Sequence, residues 1–161
     1  MFENLTTPTE LFRFQLGSAL EMEQDSLRML GELENAAMSD DLKQQFSHHA
    51  DETRQQIENL NQAFLLLNLE PGDKSSPTTK GMEKQAESLL KKSDAALHDE
   101  VVISAALGTE HYEIATYRSL ITSAEALGVA EVAELLRANL EQEEHTSQEL
   151  EEAAKRHAMM A

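Results

Sequence analysis

Four segments of this chain repeat apolar residues at helical spacing, and each also carries glutamate on its apolar face. The four apolar stripes are Phe12, Leu16, Leu20, Leu27 and Leu30; Leu42, Phe46, Leu60 and Phe64; Ile103, Leu107, Ile114 and Tyr117; and Val129, Leu136, Leu140 and Leu150. The glutamates on them are Glu23, Glu52, Glu110 with Glu113, and Glu143. An ionised carboxylate is costly to bury alone, so a chain that buries several is expected to hold cations among them. The pattern predicts a dinuclear metal site inside a four-helix bundle.

The positions of these glutamates along their helices favour one shared layer. Hairpin turns are predicted near Ser39 and Gly128, and the five glutamates lie 13 to 18 residues from the nearer turn. At 1.5 Å of rise per residue, each is roughly 20 to 27 Å from its turn. We therefore expect the five carboxylates to lie at one level when the two hairpins pack side by side.

The residues that begin and end helices predict a single domain, 1–161, with one long crossover. Thr7 and Glu10 form a capping box with Pro8 at the first helical position, which favours a helix start there. The predicted helices are about 8–37, 40–68, a short one at 82–92, 96–127 and 129–157. The segment from Pro71 to Gly81 is predicted to be irregular. Roughly 25 to 30 residues separate the second and third long helices, which is enough to make them parallel, as in ferritin-like bundles. The predicted fold class is all-α, a ferritin-like four-helix bundle with a long crossover and a short extra helix.

Composition excludes several other classes of protein. The formal net charge of −17, without a Lys/Arg cluster, disfavours binding to nucleic acid or anionic membranes. The chain has no Cys, which rules out disulfides and thiolate metal sites. Neither a secretory signal nor a membrane-spanning apolar run is visible, so we expect a cytoplasmic protein.

The donor types on the inner faces predict the metal. Carboxylates with one imidazole suit iron or manganese, so the expected cofactor is two iron ions, with manganese as the alternative. His49 is predicted to supply the imidazole beside Glu52. Gln56 and Tyr117, each one turn beyond a glutamate, are expected to hydrogen-bond to the ligands. The remaining histidines off the stripes, His98, His111, His145 and His157, are predicted to lie at the surface.

Three short stretches resemble the YciF/YciE-like family of bacterial ferritin-like proteins. They are His49 to Thr53, Glu110 to Tyr117 and Leu140 to Glu143, and the likeness extends over most of the chain. The resemblance implies a ferritin-like fold, a homodimer, a di-iron centre and a link to stress responses. It places the inner carboxylates on Glu23, Glu52, Glu110, Glu113 and Glu143, with His49 nearby. Ferritin-like sites commonly carry Glu-x-x-His on the second and fourth helices, whereas this chain has Gln55 and Thr146 at the histidine positions.

Two functions remain open from the sequence. The first is a di-metal oxidoreductase or ferroxidase-like protein that oxidises Fe(II) or consumes a small-molecule oxidant, with no catalytic residue separate from the metal ligands. The second is a non-catalytic stress or scaffold protein that keeps the bundle with a degenerate metal site, which the missing Glu-x-x-His pairs favour. A homodimer is expected because Leu65, Leu66 and Leu67 exceed what one inner stripe requires.

Overall fold

The computed structural model describes residues 4–72 and 75–158, and every regular element in these ranges is helical. The elements are α1 (Pro8–Ala36), α2 (Asp40–Leu66), α3 (Pro77–Lys92), a 3-10 turn (Ala95–Leu97), α4 (His98–Ala126) and α5 (Ala130–Ala158). Within the described ranges, none of these helices is long and apolar enough to cross a membrane.

Local signals explain where the helices begin and end. The Thr7 hydroxyl accepts a hydrogen bond from the Glu10 backbone N–H at 3.2 Å, and the Glu10 carboxylate accepts one from the Thr7 N–H at 2.9 Å. This capping box starts α1 where the sequence predicts. Gly128, at φ +73°, ends α4 in a left-handed residue, and Asn68, at φ 52°, does the same after α2. Because Asn68 leaves the helical region, α2 ends at Leu66 rather than at the predicted residue 68.

The long helices form two antiparallel hairpins joined by a crossover. On α1 and α4, Glu23 lies beside Tyr117 whereas Met29 lies beside Thr109, so these helices run in opposite directions. The pairs Asn59–Asn139 and His49–Thr146 show the same for α2 and α5. With α1 antiparallel to both α2 and α4, helices α2 and α4 are parallel. The ferritin-like bundle with a crossover is confirmed.

The crossover differs from the sequence prediction in where its helix begins. Helix α3 starts at Pro77, five residues before the predicted start, so Pro77 to Gly81 is helical rather than irregular. Proline needs no N–H partner at the first helical position, and the Thr79 hydroxyl donates to the buried Asp25 carboxylate of α1 at 2.7 Å. Residues 73–74 of the predicted irregular segment lie outside the described residues.

Two apolar clusters lie on either side of a polar layer. One contains Phe12, Leu16, Leu60, Phe64, Leu120 and Leu136, and the other contains Leu30, Leu33, Leu42, Phe46, Val102 and Leu150. Each cluster draws on all four long helices, so the bundle is closed by apolar packing above and below the layer. The glutamates predicted on the inner faces fall between the two clusters.

Candidate metal centre

Four buried side chains from three helices converge in the polar layer. They are His49 of α2, Glu110 and Glu113 of α4, and Glu143 of α5, and one ligand atom from each lies within 4.8 Å of all the others. Helical periodicity accounts for the convergence, because each of the four replaces an apolar residue on an inner face. His49 follows the core residue Phe46 by one turn, and Glu143 lies between the buried residues Asn139 and Thr146.

The carboxylates of this cluster are largely unpaired. His49 Nε2 lies 2.9 Å from Glu110 Oε1, which gives that oxygen a partner. By contrast, Glu110 Oε2 and both oxygens of Glu113 and Glu143 accept no hydrogen bond of ordinary geometry. Each buried polar group without a partner costs about 1–3 kcal/mol, and more when it is charged. The layer therefore favours protons or cations among its oxygens, and its four side chains offer the ligand atoms of a metal site.

Burial and crowding shift the pKa values of the cluster. Burial, followed by the charges of neighbouring glutamates, raises the pKa of Glu113 and Glu143 well above the usual range. For His49, burial lowers the pKa, but the charge and hydrogen bond of Glu110 outweigh burial and raise it overall. Without cations, the layer thus holds protons that the unfolded chain would release at neutral pH.

Glu23 reaches the same layer from α1 and is held by a tyrosine. Its side chain is fully buried, and burial raises its pKa to about 8. The Tyr117 hydroxyl donates a hydrogen bond to Glu23 Oε1, while Glu23 Oε2 accepts none. Burial, then the charge of Glu23, raises the pKa of Tyr117, so the hydroxyl remains a donor. Tyr117 therefore fixes one oxygen of Glu23 and leaves the other unpaired.

The structure places Glu52 at the margin of the layer and His49 inside it. The imidazole of His49, which is predicted beside Glu52, is buried against Glu110. The Glu52 side chain is 17% exposed and lies outside the four-residue cluster. Glu52 Oε2 contacts His49 Nδ1 at 3.5 Å and accepts from the Thr146 hydroxyl at 3.3 Å. The hydrogen bond from His49 is the main cause that lowers the pKa of Glu52.

Gln56 does not make the hydrogen bond expected of it. Its side chain is buried, but neither its amide nitrogen nor its oxygen has a hydrogen-bond partner. Its backbone carbonyl accepts a hydrogen bond from Asn139 Nδ2 at 3.2 Å. Gln56 thus adds another unsatisfied polar group to the α2 side of the bundle interior.

Two residues at the site were not identified from the sequence. Asn139 Nδ2 also lies 3.0 Å from the Tyr117 hydroxyl oxygen, to which it donates, so it supports the tyrosine that holds Glu23. The sequence feature that could have identified Asn139 is its position one turn before Glu143, between Leu136 and Leu140 of the predicted stripe. Thr146 was noted only as the residue replacing histidine after Glu143, yet its hydroxyl contacts both His49 and Glu52.

The prediction that His157 lies at the surface is wrong. His157 is buried at one end of the bundle, where Nε2 lies 3.7 Å from Asp41 and Nδ1 lies 3.8 Å from Asp99. The starts of α2 and α4 enclose the last turn of α5 there, and this packing between chain ends leaves no periodic signal in the sequence. His111 and His145 are exposed, as expected.

The fold and site define a ferritin-like helical bundle with a buried cluster of histidine and glutamate. The chain matches the family model described as Domain of unknown function (DUF892) over residues 7–160, and it belongs to that family. Protein YciF of Escherichia coli (strain K12) is 32% identical over 153 residues, covering 94% of this chain and 92% of that protein.

Solved structures agree with this assignment. The crystal structure of the E. coli stress protein YciF has a TM-score of 0.92 at 30% identity, covering 98% of this chain and 100% of that chain. YcfI of Rhodopseudomonas palustris has a TM-score of 0.90 at 30% identity, covering 94% and 97%. A protein of Xanthomonas campestris pv. campestris shares the fold, with a TM-score of 0.75 at 23% identity and coverage of 95% and 94%.

Proposed function

We propose that this chain is a di-metal carboxylate protein that binds iron, or manganese in its place, and acts in redox chemistry during stress. The observation that carries the proposal is the set of buried carboxylate oxygens without hydrogen bonds on Glu23, Glu110, Glu113 and Glu143. Divalent cations both occupy such oxygens and offset their mutual repulsion. The description of the E. coli relative as a stress protein supports the stress role.

In this function, the residues of the layer bind the metal or hold its ligands. Bound iron would supply one-electron redox chemistry, with Fe(II) as substrate and dioxygen or a peroxide as the oxidant. His49 offers a nitrogen ligand and the glutamates offer oxygens, while Tyr117 holds Glu23 in place. The apolar clusters on both sides of the layer exclude water. The function requires no nucleophile or general acid besides these residues.

A second function, a non-catalytic scaffold with a degenerate site, is favoured by one observation. Thr146 stands where a Glu-x-x-His site has histidine, and its hydroxyl contacts Glu52 and His49 instead of adding an imidazole. A cluster with a single histidine binds metal through fewer nitrogen ligands than ferritin-like sites that carry two. In this case the fold would be kept and redox turnover lost.

Metal analysis separates the two functions. We expect protein purified without chelator to contain about two metal ions per chain, as carboxylate bundles of this type hold. We also expect it to consume oxygen after Fe(II) addition, faster than Fe(II) in buffer does. Glu143→Gln should lower both readouts, because Glu143 is buried in the cluster. Glu144→Gln is the matched control, since the side chain of the adjacent Glu144 is 42% exposed and paired with Arg118.

Each outcome decides between the functions. Bound metal without oxygen consumption supports the scaffold. Protein that contains no metal and takes up neither Fe(II) nor Mn(II) contradicts the metal site itself. An equal loss in Glu143→Gln and Glu144→Gln would mean that general acidity, rather than the cluster, attracts the ions.

We also propose that two copies of the chain form a homodimer. Leu65 is 68% exposed and Leu66 is 40% exposed, and the partly exposed Leu11 lies at the same end of the bundle. Leu67 packs against the core and does not belong to this surface. Light scattering at micromolar concentration should give about twice the 18.0 kDa chain mass, because burying these leucines is favourable. A mass near that of one chain, or a dimer unaffected by Leu65→Ser, would contradict this surface.

A further inference from the structure

A ladder of donor groups leads from the surface to the buried cluster along α2. The exposed fractions of the side chains fall from 70% at His48 to 17% at Glu52, 3% at His49 and 1% at Glu110. The successive N–O distances are 3.7 Å from His48 to Glu52, 3.5 Å from Glu52 to His49 and 2.9 Å from His49 to Glu110. Imidazole and carboxylate thus alternate from solvent to the interior.

The two oxygens of Glu52 face opposite ways along this ladder. Oε1 lies toward Nε2 of the exposed His48, and Oε2 lies toward Nδ1 of the buried His49. The Thr146 hydroxyl holds Oε2 from α5. His49 has the same two-sided geometry one step further in, since its Nδ1 faces Glu52 and its Nε2 faces Glu110. These groups form one continuous line because residues one, three and four apart share a single helical turn.

A groove on the opposite side of the bundle interior has a different lining. A groove of about 280 Å³ between α1 and α4 includes Met22 and Tyr112, the neighbours of Glu23 and Glu113 in the sequence. Its lining residues are all uncharged, so the groove offers an arriving cation no compensation for the water that it loses. Glu52 does offer this compensation, because it is a carboxylate whose side chain is 17% exposed and whose two oxygens lie between solvent and His49. Charged residues at an opening also raise the association rates of ions of opposite charge.

We propose that Glu52, assisted by His48, is the uptake site through which a divalent cation reaches the buried cluster, and that it is not a resident ligand. This inference rests on the proposed function, in which the cluster binds divalent metal. It changes the role assigned to Glu52 from the sequence, where it was one of five inner carboxylates. Glu52 would bind the ion transiently, between water on one side and His49 on the other.

The test compares the rate of metal uptake with the number of ions bound. Chelator-treated protein is mixed with Mn(II), the loss of free Mn(II) is followed by electron paramagnetic resonance, and bound metal is counted after dialysis. Glu52→Gln should slow uptake about tenfold, within the range by which charge steering alters association rates. It should leave the number of bound ions unchanged. His48→Ala, at an exposed position that does not endanger folding, should slow uptake to a smaller extent.

Asp51→Asn is the matched control. It removes the same charge one residue away, but Asp51 is exposed and pairs with Arg54 on the outer face. Its uptake rate should stay within about twofold of the wild-type rate, since a solvated charge there adds only to the general field. Asp51→Asn that slows uptake as much as Glu52→Gln would overturn the proposal.

Other outcomes separate this inference from the proposed function. Glu52→Gln that loses one bound ion at equilibrium would make Glu52 a resident ligand and overturn the uptake role, while the metal site would stand. Uptake at the wild-type rate in both Glu52→Gln and His48→Ala would also overturn it. Wild-type protein that binds no Mn(II) and no Fe(II) would remove the proposed function, and the uptake role with it.

Discussion

Saturating Mn(II) should raise the melting temperature of the chelator-treated protein, and Glu110→Ala should lose much of this rise. A ligand present at about 100 times its Kd stabilises the folded state by about 3 kcal/mol, which is about 6 to 12 °C for a domain of this size. Glu110 is central to the effect because one of its oxygens pairs with His49 and the other is buried without a partner. On α4, Glu113 is one turn away and cannot occupy the same position.

The melting experiment needs a control for nonspecific binding to an acidic protein. Ca(II) at the same concentration screens the same surface charge but differs from Mn(II) in size and in preferred ligand number. We expect Ca(II) to give a smaller shift. We expect Glu144→Gln to retain the full Mn(II) shift, because Glu144 is partly exposed and pairs with Arg118 outside the cluster. A Mn(II) shift that persists undiminished in Glu110→Ala would contradict binding at the cluster. An unmoved wild-type curve would contradict the metal site.

The fold could be predicted because its determinants are local and periodic. The capping box at Thr7, the helix end at Gly128 and the apolar spacing each specify one helix or boundary. The length of the crossover then leaves α2 and α4 parallel. The start of α3 was missed because the Pro, Gly and Ser residues between Pro71 and Gly81 are typical of an irregular segment. The interaction that anchors this start, between Thr79 and Asp25, joins residues 54 apart in the chain.

The candidate site was predictable in its layer but not in its details. Glu23, Glu110, Glu113 and Glu143 were placed inside by counting turns, and all four are buried in the structure. Counting turns cannot distinguish the centre of the inner face from its margin. Glu52 lies three residues after His49, and this small rotation about α2 takes it to the boundary with α5. Asn139 was missed because its partners, Gln56 and Tyr117, are 83 and 22 residues away in the chain.

The chelator-treated protein should lose stability as the pH rises from 5 to 8. The pKa of Glu23 is raised from 4.5 to about 8, first by burial, and those of Glu113 and Glu143 are raised in the same direction. Well below pH 4.5 these carboxyl groups are protonated in both the folded and the unfolded chain. Between pH 4.5 and their raised pKa values, the unfolded chain releases these protons and the folded chain keeps them. Stability therefore falls as the pH rises toward the folded pKa values.

The loss of a proton from His49 also lowers stability as the pH rises. Its pKa is raised in the folded protein, because the charge of Glu110 outweighs the effect of burial. Its contribution is complete below about pH 6.5, the usual histidine value, and is lost as the pH rises through the folded pKa. Groups with lowered pKa values, such as Glu52 and Asp99, behave differently. Their contributions to the free energy of unfolding are lost only in more acidic solution and change little between pH 5 and 8. The free energy of unfolding should decrease by roughly 2–5 kcal/mol between pH 5 and 8.

Urea denaturation at pH 5, 6.5 and 8 measures this dependence. Glu23→Gln should make the pH dependence less steep, because the amide carries no proton to release, whereas Glu32→Gln, at an exposed position on the same helix, should not. Excess Mn(II) should oppose the loss at pH 8, since cations bind the deprotonated carboxylates and become more competitive as protons leave. Chelator-treated protein whose stability stays level or increases from pH 5 to 8 would mean that the layer does not hold its protons. The electrostatic argument for cations in the layer would then fail as well, because both depend on the burial of these carboxylates and on their mutual repulsion.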